Sequence, residues 1–291
     1  MSLDRVLDLI SRLRGEVPVV DRFIERNRLY LHRLHTLGVS VTERGGSYEV
    51  AIGSDIRFLI HRDTINPKYF ATMLTGIDND PTRVEHEKRL IVALLPILYA
   101  YPMEYVGYLR HYAPKEGDVV LDAGSTWGDF ALPISRLVGA EGRVVAMEPS
   151  EELYGVLLKN IGLNGFKNII PLKLGLSSKK GTAGFAHDGT VRGAISSTEA
   201  TGTLIRTTSI DEIVGDLGLG RMDFIKMDIE GEELNAIRGA SKTIERFRPS
   251  FAIASYHIKD SVQTRPRLEE MLKAHGYRTV TEYPHQTTYA L

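Results

Sequence analysis

The residues of this chain best suited to chemistry are acids and glycines at the ends of apolar runs. Val119-Val120-Leu121-Asp122-Ala123-Gly124-Ser125-Thr126-Trp127-Gly128 reads as a buried strand entering a glycine turn at the start of a helix. Glycine there lets the backbone approach a ligand, because no Cβ stands in the way. The next apolar run ends in Glu148, 20 residues beyond Gly128, about where an acid meets ribose hydroxyls in a nucleotide-binding sheet. Turn and acid together suggest a nucleoside site. A dinucleotide site would want G-x-G-x-x-G, with a pyrophosphate on the helix N-terminus, but position 122 is Asp. That acid would repel pyrophosphate and suits a ligand carrying an ammonium and a sulfonium, which is what S-adenosylmethionine presents. The plainer alternative is that Asp122 and the glycines only make a turn and Glu148 only starts a helix ahead of Pro149. The spacing and the strand-turn-helix context favour the site. Its cofactor-binding candidates are Asp122, Gly124, Ser125, Gly128 and Glu148, with Gly175 beyond the third strand.

The elements that must hold these residues begin near Gly117, where strands start to alternate with helices, the signature of a parallel sheet covered on both faces. Val119 to Asp122, Arg143 to Glu148, Ile169 to Leu174, Phe224 to Asp228 and Phe251 to Ser255 are short, apolar and β-rich. Helices are predicted near 129–139, 151–163, 232–245 and 265–275. Gly181 to Thr208, rich in Gly, Thr and Ser, reads as a β-hairpin insertion. Tyr277 to Tyr283 and Thr287 to Leu291 read as an antiparallel hairpin closing the sheet. Ahead of all this, the first 37 residues follow a helical stripe, Val39 to Thr42 and Tyr48 to Ile52 form a hairpin, Ile56 to Ile60 adds a strand, and Arg83 to Tyr112 is again helical. The expected division is an accessory α+β region at 1–112 and an α/β catalytic domain at 113–291.

Composition narrows the class. With 36 basic and 37 acidic residues the net charge is -1, which gives no overall field to attract nucleic acid. No cysteine is present, so thiolate zinc sites, disulfides and cysteine nucleophiles are excluded, and a cytoplasmic, reducing setting is the expectation. Met1-Ser2-Leu3-Asp4-Arg5-Val6 does not read as a signal peptide. The run Leu90 to Tyr101, interrupted by Pro96, is shorter than the ~18 residues that suggest a membrane span and reads as a buried helix.

Beyond the first motif, Glu148-Pro149, Lys159-Asn160 to Leu163-Asn164, and above all Asp223-Phe224-Ile225-Lys226-Met227-Asp228-Ile229-Glu230-Gly231-Glu232-Glu233 resemble the FkbM family of methyltransferases. The resemblance spans roughly 105–291. One departure is Ser125-Thr126-Trp127-Gly128, where the family usually has Ala-Asn-Ile-Gly; Trp127 bears on the pocket near the methionine end. The resemblance implies a Rossmann-like, roughly seven-stranded class I methyltransferase sheet with its last strand antiparallel. It also implies O-methylation, commonly of hydroxyls on sugars, glycolipids or macrocyclic natural products.

In the implied strand order, the first and fourth strands flank the crevice at their carboxyl ends. Asp122, Asp228 and His257 can then face one pocket. A hydroxyl acceptor must lose its proton, and a positioned carboxylate or imidazole can take it, so Asp228, Glu230 and His257 are the catalytic candidates. The same trio offers oxygen and imidazole ligands to a divalent cation, which would lower the hydroxyl pKa directly. Spacing alone cannot fix coordination geometry, so none is assigned as a metal ligand. Glu232 and Glu233 read as acids at a helix start. The expected partner is a small-molecule or glycan hydroxyl acceptor, with 1–112 a candidate surface for self-association. A nicotinamide oxidoreductase on a similar sheet is disfavoured by the glycine pattern and by the absence of any Tyr-x-x-x-Lys. A nucleic-acid amine methyltransferase would have Asn-Pro-Pro-Tyr or Asp-Pro-Pro-Tyr where this chain has Met227-Asp228-Ile229-Glu230. A non-catalytic scaffold on the same fold is the remaining rival.

Overall fold

The computed structural model describes residues 39–44, 47–52, 56–61, 107–187, 193–196, 203–259, 262–282 and 286–291. The chain separates into two compact units, 1–103 and 104–291. In the first, β1 (Val39–Arg44), β2 (Ser47–Ile52) and β3 (Ile56–His61) form an antiparallel meander, which contains the expected hairpin and third strand. The helical readings of residues 1–37, Leu90 to Tyr101 and most of 83–112 lie outside the described residues. Among the described residues, no helix is long and apolar enough to cross a membrane.

The second unit is built on β4 (Val119–Ala123), β5 (Arg143–Met147), β6 (Ile169–Leu172), β11 (Phe224–Met227), β12 (Ser250–Ala254), β15 (Thr279–Glu282) and β16 (Thr287–Ala290). Their order across the sheet is β15-β16-β12-β11-β4-β5-β6. The first four strands in chain order and β12 run parallel, and β16 runs antiparallel between β12 and β15. This is the strand number and direction that the sequence resemblance implies, seven strands with the last one antiparallel. Every residue of β4 and β11 is buried, as expected for central strands covered on both faces, where the sequence shows continuous apolar runs instead of alternation. Leu121, Val145, Ile225 and Phe251 from four neighbouring strands join one core with Ile237, Ile244 and Leu268 from the covering helices.

The helices are α1 (Ala131–Val138), α2 (Glu151–Asn164), α3 (Ile210–Asp216), α4 (Glu233–Arg238), α5 (Ser241–Phe247) and α6 (Arg265–Ala274). Ser150 caps α2 by accepting from Leu153 N, and Gly165 ends it in the left-handed region. Three features depart from the sequence reading. The single helix expected near 232–245 is split into α4 and α5 at Gly239-Ala240. The stretch 181–208 supplies β8 (Gly181–His187), β9 (Gly193–Ser196) and β10 (Thr203–Thr208), which join β7 (Gly175–Leu176) in a second sheet ordered β7-β10-β8-β9. It is therefore a small sheet and more than one hairpin. Lastly, α3 is a helix beyond those the sequence reading predicts, started by a complete capping box of Ser209 and Glu212.

Residues 107–112 pack on the sheet. Tyr112 stacks on Phe224 with ring centroids 5.3 Å apart, Tyr108 meets Phe130 edge-on at 6.0 Å, and Tyr289 Oη donates to the Gly107 carbonyl.

Candidate active site

The parallel pairing of β4 with β11 places Asp122 beside Lys226 and Ala123 beside Met227, so the loops after both strands leave the sheet side by side. Asp228 N donates to the Ala123 carbonyl at 3.1 Å. A Cβ added at Gly124 would lie 1.9 Å from the Asp228 carbonyl oxygen, and its φ is +78°. Only glycine lets the two strand ends come this close. At Gly128, φ +94°, a Cβ would strike Leu132 Cδ1 at 2.2 Å and Leu157 Cδ1 at 2.9 Å. That glycine serves close packing of the loop on α1 and α2.

Within this loop Asp122 is fully buried. Its Oδ1 lies 3.1 Å from Lys226 Nζ, and its Oδ2 accepts from Ser125 Oγ. Lys226, 2% exposed, also donates to the Gly124 carbonyl at 2.8 Å and lies over the rings of Tyr108 and Phe130. Burial raises the Asp122 carboxyl above the usual carboxylate range, opposed by the Lys226 charge. The negative charge that the sequence reading held ready for a cationic ligand is thus answered inside the chain, and Asp122, Ser125 and Lys226 together fix the loop.

Glu148 stands at the carboxyl end of β5, 4% exposed. Ser150 N donates to its Oε1 at 2.8 Å and Thr126 N to its Oε2 at 3.0 Å. A carboxylate oxygen accepts more than one hydrogen bond, so this carboxylate, held by backbone from both loops, fits a pair of ribose hydroxyls. Burial lifts it to about 7, against the two backbone bonds that favour its charged form. Asp129, which accepts from Thr126 Oγ1 at 2.8 Å, is a further acid at this loop, pushed up by burial to about 6. Trp127 is 3% exposed, and its carbonyl accepts from Asn160 Nδ2. Gly175 opens β7 and pairs with Thr207 in the second sheet.

The other three candidates do converge. Asp228 accepts from Tyr108 Oη at 3.2 Å and from Tyr256 Oη at 3.3 Å. His257 Nε2 stands 3.4 Å from Asp228 Oδ1 and 3.4 Å from Glu230 Oε2, while its Nδ1 lies 2.8 Å from Glu233 Oε1. Glu233 is fully buried and also accepts from Ile229 N and Gly231 N. It therefore orients the imidazole, a role beyond the helix-start acid expected of it. Glu232 instead pairs with Lys259 and accepts from Ser177 Oγ and Asn235 Nδ2. Glu230 holds φ +54°, a left-handed conformation that costs a non-glycine residue on the order of 1–3 kcal/mol and that clusters at functional sites. Burial works against a charged His257, but the hydrogen bond and charge of Glu233, with Asp228 and Glu230 behind them, outweigh it and push the imidazole up to about 9.

Sequence reading missed Lys226, Tyr108, Tyr256 and Glu233. Lys226 had a signal, as the charged residue inside the otherwise apolar Phe224 to Met227. Tyr108 had none, being 120 residues from Asp228.

Residues 111–279 match the family model described as the methyltransferase FkbM domain. The chain is 31% identical over 148 residues to the hexuronic acid methyltransferase AglP of Haloferax volcanii, covering 49% of this chain and 57% of that protein. It is 23% identical over 192 residues to the methyltransferase sdnD of Sordaria araneosa, covering 54% of this chain and 73% of that one. Among solved structures, the FkbM methyltransferase of Methylobacillus flagellatus KT aligns at TM-score 0.50 with 20% identity, over 73% of this chain and 56% of that one, a likeness of fold. The chain spans little more than half the length of AglP and of the Methylobacillus protein.

Proposed function

We propose that this chain, which belongs to the FkbM methyltransferase family, moves a methyl group from S-adenosylmethionine to a hydroxyl oxygen of a sugar-type acceptor. The observation that carries the reading is the placing of Asp228. Its backbone is bonded to the end of β4, beside the glycine loop, and its carboxylate is oriented by two tyrosines. S-adenosylmethionine supplies a methyl carbon already activated by its sulfonium, so the enzyme mainly needs alignment and a route for the acceptor's proton. Glu148 takes the ribose hydroxyls, and the Gly124 to Gly128 turn gives the cofactor its close backbone approach. At the other strand end, Asp228 draws the acceptor hydroxyl into line, with Tyr108 and Tyr256 fixing its oxygens and Glu230 and His257 completing the acceptor side. As the new C–O bond forms and the methyl leaves sulfur, the sulfur keeps the bonding pair and the hydroxyl proton passes to the Asp228 side.

The name of the Haloferax relative supports a sugar acid as the first acceptor to try. Incubation with radiolabelled S-adenosylmethionine and a panel of hexuronic-acid and neutral glycosides should yield a labelled methyl ether that survives alkali. An alkali-labile product would be an ester and would overturn the hydroxyl assignment. Transfer to none of the sugars would remove the acceptor class.

A further inference from the structure

We infer that Asp228, Glu230 and His257 form a binding site for one divalent cation, with Mn²⁺ the best match. One ligand atom of each residue lies within 4.8 Å of the others. The two shorter separations, His257 Nε2 to each carboxylate oxygen, are 3.4 Å. Ligands held at ~2.0–2.2 Å from a common ion are separated by about 3.0–3.6 Å across an octahedral or tetrahedral edge. The imidazole nitrogen is therefore too far from either acid for a good hydrogen bond and at the spacing of a coordination edge from both, with the two carboxylate oxygens within 4.8 Å of each other.

An independent observation comes from His257 itself. The residue is 6% exposed, yet Nε2 has no hydrogen-bond partner of acceptable geometry and is aimed between the two carboxylates. Its other nitrogen lies 2.8 Å from Glu233 Oε1, close but outside hydrogen-bond geometry, so the carboxylate stands behind the ring in the place from which such a group orients a metal-binding histidine. Glu233 is in turn anchored by the Ile229 and Gly231 amides, so the ligand nitrogen is held from behind by the backbone of the loop that carries Asp228 and Glu230.

The ligand set names the class of ion. Two carboxylates and one imidazole, in a chain without cysteine, suit the harder first-row ions over soft ones, with Mn²⁺ meeting both ligand types and Mg²⁺ and Zn²⁺ as competitors. Three protein ligands leave coordination positions open. Asp228 and Glu230 are partly exposed, 16% and 25% at their side chains, so water and an acceptor oxygen can reach them. The consequence for catalysis, which rests on the hydroxyl-transfer reading above, is that an acceptor oxygen on the ion loses its proton to solvent more readily. Ion binding itself does not depend on that reading.

The test is Mn²⁺ titration of chelator-stripped full-length protein, followed by the electron paramagnetic resonance of free Mn²⁺, with calorimetry for Mg²⁺ and Zn²⁺. One ion per chain is expected. Asp228→Asn, Glu230→Gln and His257→Gln should each weaken it at least ~10-fold, and Glu233→Gln by ~10–100-fold, all with wild-type affinity for S-adenosylmethionine as the check on folding. Saturable binding of none of the three ions at millimolar concentration overturns the inference, as does binding unchanged in the triple variant. Undiminished methyl transfer to a sugar hydroxyl in excess chelator would leave the proposed reaction standing and remove the ion. A bound ion without transfer to any sugar would do the reverse.

Discussion

At the carboxyl end of β4 the charge of Asp122 is met from within the chain, whereas past the ends of β11 and β12 two carboxylates and an imidazole face one another. Asp122 has Lys226 and Ser125, and Glu148 nearby has two backbone amides. Across the crevice, His257 stands 3.4 Å from both Asp228 and Glu230, and the two acids stay partly open to solvent. The first arrangement ties the loop to the neighbouring strand through Lys226 and Ser125. The second stores electrostatic capacity that a substrate or an ion can draw on. Buried groups whose partners are all supplied hold structure, and clustered groups with partners to spare carry reactivity.

The largest effect that would break this contrast is expected at Lys226. Lys226→Met leaves Asp122 buried without its cation and should cost ~3–5 kcal/mol of stability in urea titration. Combined with Asp122→Asn, the loss should be smaller, because the orphaned charge is gone. A single variant as stable as wild type would remove the structural role from the pair.

Asp228→Asn should do the opposite. Turnover falls by ~10²-fold or more while cofactor affinity stays near wild type. Loss of cofactor binding in this variant would show that the two strand ends do not divide the work as described.

Glu148→Ala sharpens the comparison from the cofactor side. It removes a charge-assisted acceptor and should weaken S-adenosylmethionine by ~1.5–3 kcal/mol in calorimetry, with the Asp228 cluster untouched.

The smallest effect is one of pH. Because Glu148 sits at about 7 in the fold against its ordinary 4.5, the folded chain binds this proton more tightly than the unfolded one. Its contribution to stability is complete below about 4.5 and is lost as pH rises through about 7. Cofactor affinity should run the other way, gaining ~10-fold between pH 6 and 8 as the carboxylate ionises and becomes the stronger acceptor. In Glu148→Gln both slopes should flatten, and a pH profile shared by wild type and variant would assign the titration elsewhere.

Most of the sheet was legible because central parallel strands are buried on both faces and therefore read as unbroken apolar runs, as in Val119 to Leu121 and Phe251 to Ala254. Glu148 was legible for the same reason, as the first acid after such a run. The division of 232–245 into two helices was not, since apolar spacing continues across Gly239, and the extra strands of 181–208 were hidden because Gly, Thr and Ser serve turns and edge strands alike. The capping box at Ser209 to Glu212 is a local start signal that the Gly, Thr and Ser ahead of it obscure.

From the sequence alone come the order of strands and helices, the glycine turn after Asp122 and the strand-end acids Glu148 and Asp228, because periodicity and turn chemistry are local properties of the chain. The pairing of Asp122 with Lys226, the seating of Tyr108 on Asp228 and the hold of Glu233 on His257 exist only in the fold. Those partners lie 104, 120 and 24 residues apart. Their meeting depends on strand order and register, which place the ends of β4, β11 and β12 side by side, and no local pattern records where a distant strand will lie.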